Sequence, residues 1–222
     1  MDRLFVDTEF TDLTPDAKLI SIGLVDESGK HKFYAELSDT WQPADAGEFA
    51  QREVIPHLEG GASRIPMVTL KKYLAAWIKG LRVPVMLATD SLQWDWPWIE
   101  TLLKHRWPRN LARDPLLLTR QYLCEFDKFE AEREAAFAAG LRRHHALDGA
   151  LANRQAWYNA NGDIRDEGGL PLLKARLRKD SEEVTSGKRD ARSLIMIQKG
   201  WLKGATITPN PASEFNRNGE GW

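Results

Sequence analysis

The sequence predicts an α/β protein in which helices cover both faces of a mixed sheet. The N-terminal part contains three strand-like segments, at 3–8, 18–25 and 31–37, and turn-forming residues at 27–30 join the last two as a hairpin. Helical and strand-like segments then alternate up to about residue 158. Antiparallel strands followed by such an alternation are typical of a sheet flanked by helices.

Each element follows from its own residue pattern. Residues 3–8 are apolar at successive positions, which predicts a strand covered on both faces. Residues 68–81 carry apolar side chains at helical spacing, so we expect a helix there. Pro84 marks the start of a fourth strand at 83–88, because proline is tolerated at a strand's beginning. We also expect a short fifth strand at 116–119 and helices at about 47–54, 95–105, 125–139 and 146–158.

Composition narrows the class of protein. The chain has 222 residues, of which 42% are hydrophobic and 28% charged, as in ordinary globular proteins. The single cysteine, Cys124, excludes a disulfide framework and a cysteine-based zinc site. The sequence has neither an apolar run of about 18 residues nor an N-terminal signal segment, so we expect a cytoplasmic protein.

Charge divides the chain into two regions. Residues 1–160 contain 20 basic and 23 acidic side chains, whereas residues 161–204 contain 10 and 7. We therefore expect one domain over 1–160 and a basic helical extension with a flexible C-terminal tail over 161–222, with helices at 170–183 and 190–202. One interpretation of the basic stretch is that it binds nucleic acid. The favoured interpretation is a solvated helical extension that lies on the domain. The net charge of −1 argues against a generally basic nucleic-acid-binding surface, so a local patch or metal ions would have to handle phosphates.

The first candidate site residues are Asp7 and Glu9, at the end of the first strand. Side chains two apart on a strand share a face, with a separation of roughly 6.6 Å along the axis. Two carboxylates this close repel each other, and a divalent cation relieves that repulsion. Oxygen ligands favour Mg²⁺ or Mn²⁺. The alternative is a solvent-exposed acidic strand end.

A second candidate is Asp95, which the sequence places at the start of a helix with Pro97 in its first turn. A simpler interpretation is that Asp95 only complements the helix dipole. The neighbouring tryptophans Trp94, Trp96 and Trp98 could stack on bases, although packing is the favoured role for at least two of them.

The third candidate pair is His144 and Asp148, at the start of the helix at 146–158. A histidine in the preceding loop, with an ordinary pKa of about 6.5, suits a general base. Alternatively, the two residues are a surface imidazole and a helix cap.

Taken together, the ordered acids and histidine resemble the DEDDh 3′→5′ exonucleases, a superfamily with an RNase H-like fold. The resemblance covers about residues 3–158. Further segments resemble the compact bacterial and phage exoribonuclease branch of that superfamily: Asp7–Leu13, Leu19–Val25, Phe33–Leu37 and Val54–Leu58.

The resemblance implies an enzyme that releases nucleoside monophosphates from the 3′ end of single-stranded RNA, with DNA as the other candidate substrate. Two divalent cations, Mg²⁺ or Mn²⁺, would be held by four carboxylates, with His144 as general base. Carried over to this sequence, the metal ligands are Asp7, Glu9, Asp95 and, provisionally, Asp148, and the substrate contacts are Phe10, Thr11 and Trp94. The resemblance also implies a possible homodimer, although the sequence itself shows no self-complementary patch.

One departure from the family pattern concerns the last acid. The family has its final aspartate five residues after the histidine, and that position here is Gly149. Asp148 comes one residue early, which on a regular helix is about 100° of rotation. The helix start could shift to bring Asp148 into the site, water could fill the gap, or the protein could bind 3′ ends without cleaving them. His145 is the alternative to His144 if the loop shifts.

Overall fold

The fold is built on a six-stranded mixed sheet. The computed structural model describes residues 1–14, 16–162 and 164. In chain order the strands are β1 (Asp2–Phe10), β2 (Leu19–Asp26), β3 (Lys32–Leu37), β4 (Arg64–Ile65), β5 (Val85–Thr89) and β6 (Leu116–Leu117). They lie in the order β4-β3-β2-β1-β5-β6. β2 is antiparallel to β1 and β3, whereas β5 is parallel to β1 and β6, and β4 is parallel to β3.

Four α-helices lie within the described residues. They are α1 (Met67–Gly80), α2 (Leu92–Leu103), α3 (Phe126–Ala138) and α4 (Ala146–Asn159). Between β3 and β4 the chain forms short helical turns at Pro43–Asp45, Ala50–Val54, Ile55–His57 and Gly61–Ser63, the second of them a π-helical turn.

Strand β1 lies at the centre and is covered on both faces, because its side chains alternate between two cores. Leu4 and Val6 belong to a core that includes buried side chains of α1 and α2, such as Leu70 and Ile99. Phe5 belongs to a second core with side chains of α3 and α4, among them Phe129 and Trp157. The predicted α/β class, with helices on both faces of a mixed sheet, is confirmed.

The expected five strands are all present, but the sheet has six. The additional strand, β4, has only two residues and adds to the outer edge of β3 at Glu36 and Leu37. So short a segment, directly followed by Pro66, carries no alternation from which a strand could be predicted.

Helix α2 begins at Leu92, three residues before the predicted start at Asp95. The backbone N–H groups of Trp94 and Asp95 already donate to the carbonyl of Ser91, over 3.0 and 2.9 Å. Pro97 consequently lies inside the helix and not in its first turn, which corrects the sequence-based placement. Asp95 keeps its predicted place in the first turn.

The first turn of α4 lies directly on the sheet. A Cβ atom added at Gly23 of β2 would overlap the backbone of Ala146 and Leu147. Glycine at this position therefore allows the close approach that brings the start of α4 to the carboxyl end of β1.

The predicted helices at 170–183 and 190–202 and the tail at 205–222 lie outside the described residues. Within the described part of the chain, no helix combines the length and apolar character needed to cross a membrane.

Candidate metal centre

Three aspartates from three parts of the chain meet at the carboxyl ends of the neighbouring strands β1 and β5. Asp7 lies on β1, Asp90 directly follows β5, and Asp95 lies in the first turn of α2. One carboxylate oxygen from each lies within 4.8 Å of the other two. β1 and β5 are parallel neighbours, and the carboxyl ends of such strands are where open α/β sheets place ligands. We call Asp7, Asp90 and Asp95 the acidic triad.

Asp95 is the most enclosed member of the acidic triad, with 1% of its surface exposed. The hydroxyl of Thr8 donates to its Oδ1 over 2.6 Å, and the hydroxyl of Thr89 donates to its Oδ2. Both threonines are buried. These two hydroxyls fix the orientation of the carboxylate, in the way that outer-sphere partners orient metal ligands.

Asp90 is held by one side chain from α3 and one from α4. The guanidinium of Arg133 forms an ion pair with Asp90 Oδ2, and Asn153 Nδ2 lies 3.4 Å from Asp90 Oδ1. Arg133 also reaches Glu130, with Nη2 3.0 Å from Oε1. Burial by itself lowers the pKa of Arg133, but the charges of Asp90 and Glu130 oppose this and raise the pKa above its usual value. Arg133 is therefore a permanent positive charge beside the acidic triad.

The chemistry of the acidic triad suits a hard divalent cation. Three carboxylates supply oxygen ligands only, which favours Mg²⁺ or Mn²⁺ over softer metals. Asp7 and Asp95, both predicted as metal ligands, are brought together, whereas the described group does not include Glu9 or Asp148. The roles of Glu9 and Asp148 as ligands stay predictions.

Gly149 lies against the acidic triad. A Cβ atom added there would overlap Asp7 Oδ2 and would lie 2.8 Å from Asp7 Cγ. The Asp7 carboxylate thus occupies the space that a side chain at position 149 would need. In this structure a glycine at 149 is a packing requirement as well as a departure from the DEDDh pattern.

Asp148, in the first turn of α4, forms hydrogen bonds with residues of the loop that precedes this helix. It accepts hydrogen bonds from the backbone N–H and the Nε of Arg142, over 2.9 and 2.7 Å. Its own backbone N–H donates to His145 Nδ1. Burial raises the pKa of Asp148, but the hydrogen bonds from Arg142 outweigh burial and lower the pKa below its ordinary value. The carboxylate thus has partners that hold it ionised without a metal ion.

The two adjacent histidines differ in burial. His145 caps α4, is 1% exposed and stacks on Tyr34 with a centroid separation of 4.4 Å. Its Nε2 lies 3.4 Å from Glu59 Oε1. His144 is half-buried, has a left-handed backbone conformation with φ of 61°, and meets the ring of Phe49 edge-on. The environment of His145 suits a structural role, which leaves His144 as the candidate general base.

Two of the predicted substrate contacts lie against each other. The rings of Phe10 and Trp94 stack with a centroid separation of 5.1 Å and an interplanar angle of 19°. Phe10 is next to Glu9 in the chain, and Trp94 is next to Asp95. The third predicted contact, Thr11, is buried, and its hydroxyl accepts a hydrogen bond from the backbone N–H of Lys18. The structure therefore gives Thr11 a role in closing the loop after β1.

Sequence reasoning missed three residues of the site, namely Asp90, Arg133 and Asn153. Asp90 could have been predicted, because an acid that directly follows an apolar strand parallel to β1 lies where open α/β sheets bind ligands. Arg133 and Asn153 lie within helices, and their local sequence marks them only as charged or polar.

The comparisons with known proteins give the chain no family. No protein-family model matches it, and no curated protein matches its sequence. The resemblance to the DEDDh exonucleases thus rests on the motifs alone.

Proposed function

We propose that the protein is a divalent-cation-dependent 3′→5′ exonuclease that acts on single-stranded nucleic acid, with RNA as the favoured substrate. The observation that carries this proposal is the convergence of Asp7, Asp90 and Asp95 at the carboxyl ends of two parallel strands. Asp7 and Asp95 are the two acids that both the motif resemblance and the geometry select.

The acidic triad would hold the metal through Asp7, Asp90 and Asp95. A bound Mg²⁺ or Mn²⁺ would polarise the phosphodiester and lower the pKa of a water molecule. Thr8 and Thr89 keep the Asp95 carboxylate oriented for this task. His144, half-buried in the loop before α4, is the group that we assign to accept the proton from the attacking water.

The stacked pair of Phe10 and Trp94 provides an aromatic surface adjacent in sequence to two acids of the motif. Aromatic side chains bind unpaired bases by stacking, with little dependence on base identity. We assign this pair to the terminal base of the substrate. An overall charge of −1 is compatible with this function, because a bound cation contributes the local positive charge that phosphates require.

Replacement of Asp95 tests the proposal directly. In an Asp95→Asn variant, Mn²⁺-dependent release of nucleoside monophosphates from single-stranded RNA should fall by at least about 100-fold, because a neutral amide is a poor ligand for a hard cation. The matched control is Glu100→Gln, which removes one charge from an exposed position on the same helix. Equal activity in the two variants would refute the role of the acidic triad in cleavage.

A second function, binding of 3′ ends without cleavage, is favoured by one specific observation. The family's last acid is replaced by Gly149, and the neighbouring Asp148 is engaged by Arg142. On this alternative, wild-type protein retards RNA in a mobility-shift gel but leaves it intact in Mg²⁺ and in Mn²⁺. Release of mononucleotides by the wild type excludes the alternative.

A further inference from the structure

Arg133 brings a positive charge into the acidic triad from α3. Its side chain is 10% exposed and its partner Asp90 is 12% exposed, so water screens this ion pair only weakly. The negative charges that raise the pKa of Arg133 include that of Asp7 as well as that of Asp90. Arg133 therefore interacts electrostatically with two members of the acidic triad, Asp7 and Asp90, and not with a single surface partner.

Two buried polar atoms beside Asp90 have no hydrogen-bond partner within the described part of the chain. One is Oδ1 of Asn153, a residue that is 2% exposed and whose Nδ2 faces Asp90. The other is Nε of Arg133. Buried polar groups are nearly always satisfied in native proteins. The amide oxygen of Asn153, in a side chain that already contacts Asp90, therefore lacks a polar partner that a water molecule on a bound cation would supply.

The number of ligand atoms indicates one bound ion. The acidic triad supplies three carboxylate oxygens that lie within 4.8 Å of one another, an arrangement that surrounds a single divalent cation. Arg133, which pairs with both Asp90 and Glu130, brings a positive charge to this group and so disfavours a second ion there. Position 149, where the motif resemblance expects a fourth acid, contributes no charge because it is glycine.

We propose that Asp7, Asp90 and Asp95 hold one divalent cation, and that Arg133, anchored on Asp90, is a built-in positive charge in place of the second ion. The inference deepens the proposed function, since it rests on the same acidic triad. It adds the number of ions, and it assigns Arg133 as the residue that sets this number.

The test is a Mn²⁺ titration of the full chain, followed by the electron paramagnetic resonance signal of free Mn²⁺. We expect one Mn²⁺ per wild-type chain. In Arg133→Met, Asp90 loses its competing cation, so Mn²⁺ should bind at least about tenfold more tightly. The control Arg143→Met removes an equal charge from an exposed pair with Glu134, which also lies on α3, and should bind Mn²⁺ like the wild type.

The inference would be overturned by two Mn²⁺ ions per wild-type chain, or by a folded Arg133→Met variant whose Mn²⁺ affinity is unchanged or weaker. Circular dichroism establishes whether that variant folds. If it does not, the wild-type stoichiometry and Asp90→Asn decide, because loss of the Asp90 carboxylate should weaken Mn²⁺ binding at least about tenfold. Unchanged binding in Asp90→Asn would refute the assignment.

The same titration separates this inference from the proposed exonuclease. A wild-type chain that binds one Mn²⁺ but leaves RNA intact supports the one-ion site and refutes the activity. A chain that binds two Mn²⁺ ions and degrades RNA does the reverse. A chain that binds no Mn²⁺ at millimolar concentrations refutes the site.

Discussion

Gly149 and Gly23 are the residues that let the first turn of α4 rest on the sheet. A side chain at Gly23 would overlap the α4 backbone, and one at Gly149 would overlap the Asp7 carboxylate. The second overlap links packing to the candidate function, because Asp7 belongs to the acidic triad. A change at position 149 should therefore alter both stability and metal binding.

We expect Gly149→Ala to lower the free energy of unfolding by about 1–3 kcal/mol, the usual cost of overpacking a buried site. Asp7 would have to turn away from the added methyl group, so Mn²⁺ binding should weaken as well. The control is Gly80→Ala, also within a helix, where an added Cβ meets nothing within 4 Å. Urea unfolding and Mn²⁺ titration of both variants provide the measurement. A Gly149→Ala variant as stable as the wild type would contradict the packing described here.

Single residues of the site differ in how far the sequence could predict them. Asp7 and Asp95 were predictable because each stands at the end or the start of an element whose pattern is clear. The pairing of Asp148 with Arg142 depends on the path of a loop, and the overlap at Gly149 depends on the distance between α4 and β1. Neither a loop path nor an interelement distance is written in local sequence.

At the scale of elements, the loop before α4 is a small polar network built around His145. Burial lowers the pKa of His145, and the charge of Arg142 lowers it further. The pKa in the folded protein therefore lies below the unfolded value of about 6.5. The unfolded chain binds more protons in the interval between these two pKa values, so the free energy of unfolding falls as the pH drops below about 6.5.

We therefore predict that the metal-free protein in EDTA loses stability as the pH falls below about 6.5, and that His145→Gln shows a flatter pH dependence there. Asp148, whose pKa is also lowered, contributes at more acidic pH, with a loss that begins below about 3.9. Urea unfolding at a series of pH values measures the slope. The control His105→Gln, at an exposed position, should keep the wild-type slope. An equal slope in His145→Gln would show that His145 does not titrate as described.

The sequence predicted which helices and strands exist better than it predicted where they begin and end. The apolar periodicity that predicted a helix at 68–81 corresponds to α1 at Met67–Gly80. The start of α2 was misplaced because Pro97 suggested a first turn, whereas Pro97 lies in the helix interior, a position that proline usually disfavours. The π-helical turn at Ala50–Val54, within the helix predicted at 47–54, has no distinctive residue pattern from which to predict it.

At the scale of the whole molecule, the charge is nearly balanced, with 31 basic and 32 acidic residues. A protein of this composition cannot rely on general electrostatic attraction to hold a polyanion. The acidic triad, with Arg133 beside it, offers a local solution, since a bound cation turns a negative site into one that attracts phosphate. If the proposed function is correct, both substrate contact and cleavage would depend on the metal.

The most direct measurement is a titration of the wild-type protein with Mg²⁺ and Mn²⁺ on 5′-labelled single-stranded RNA and DNA of one sequence, with EDTA as control. We predict a ladder that shortens from the 3′ end, appears with either metal and is absent in EDTA, with RNA degraded faster than DNA. Substrates that remain intact at every metal concentration would contradict the account of this chain as a metal-dependent exonuclease.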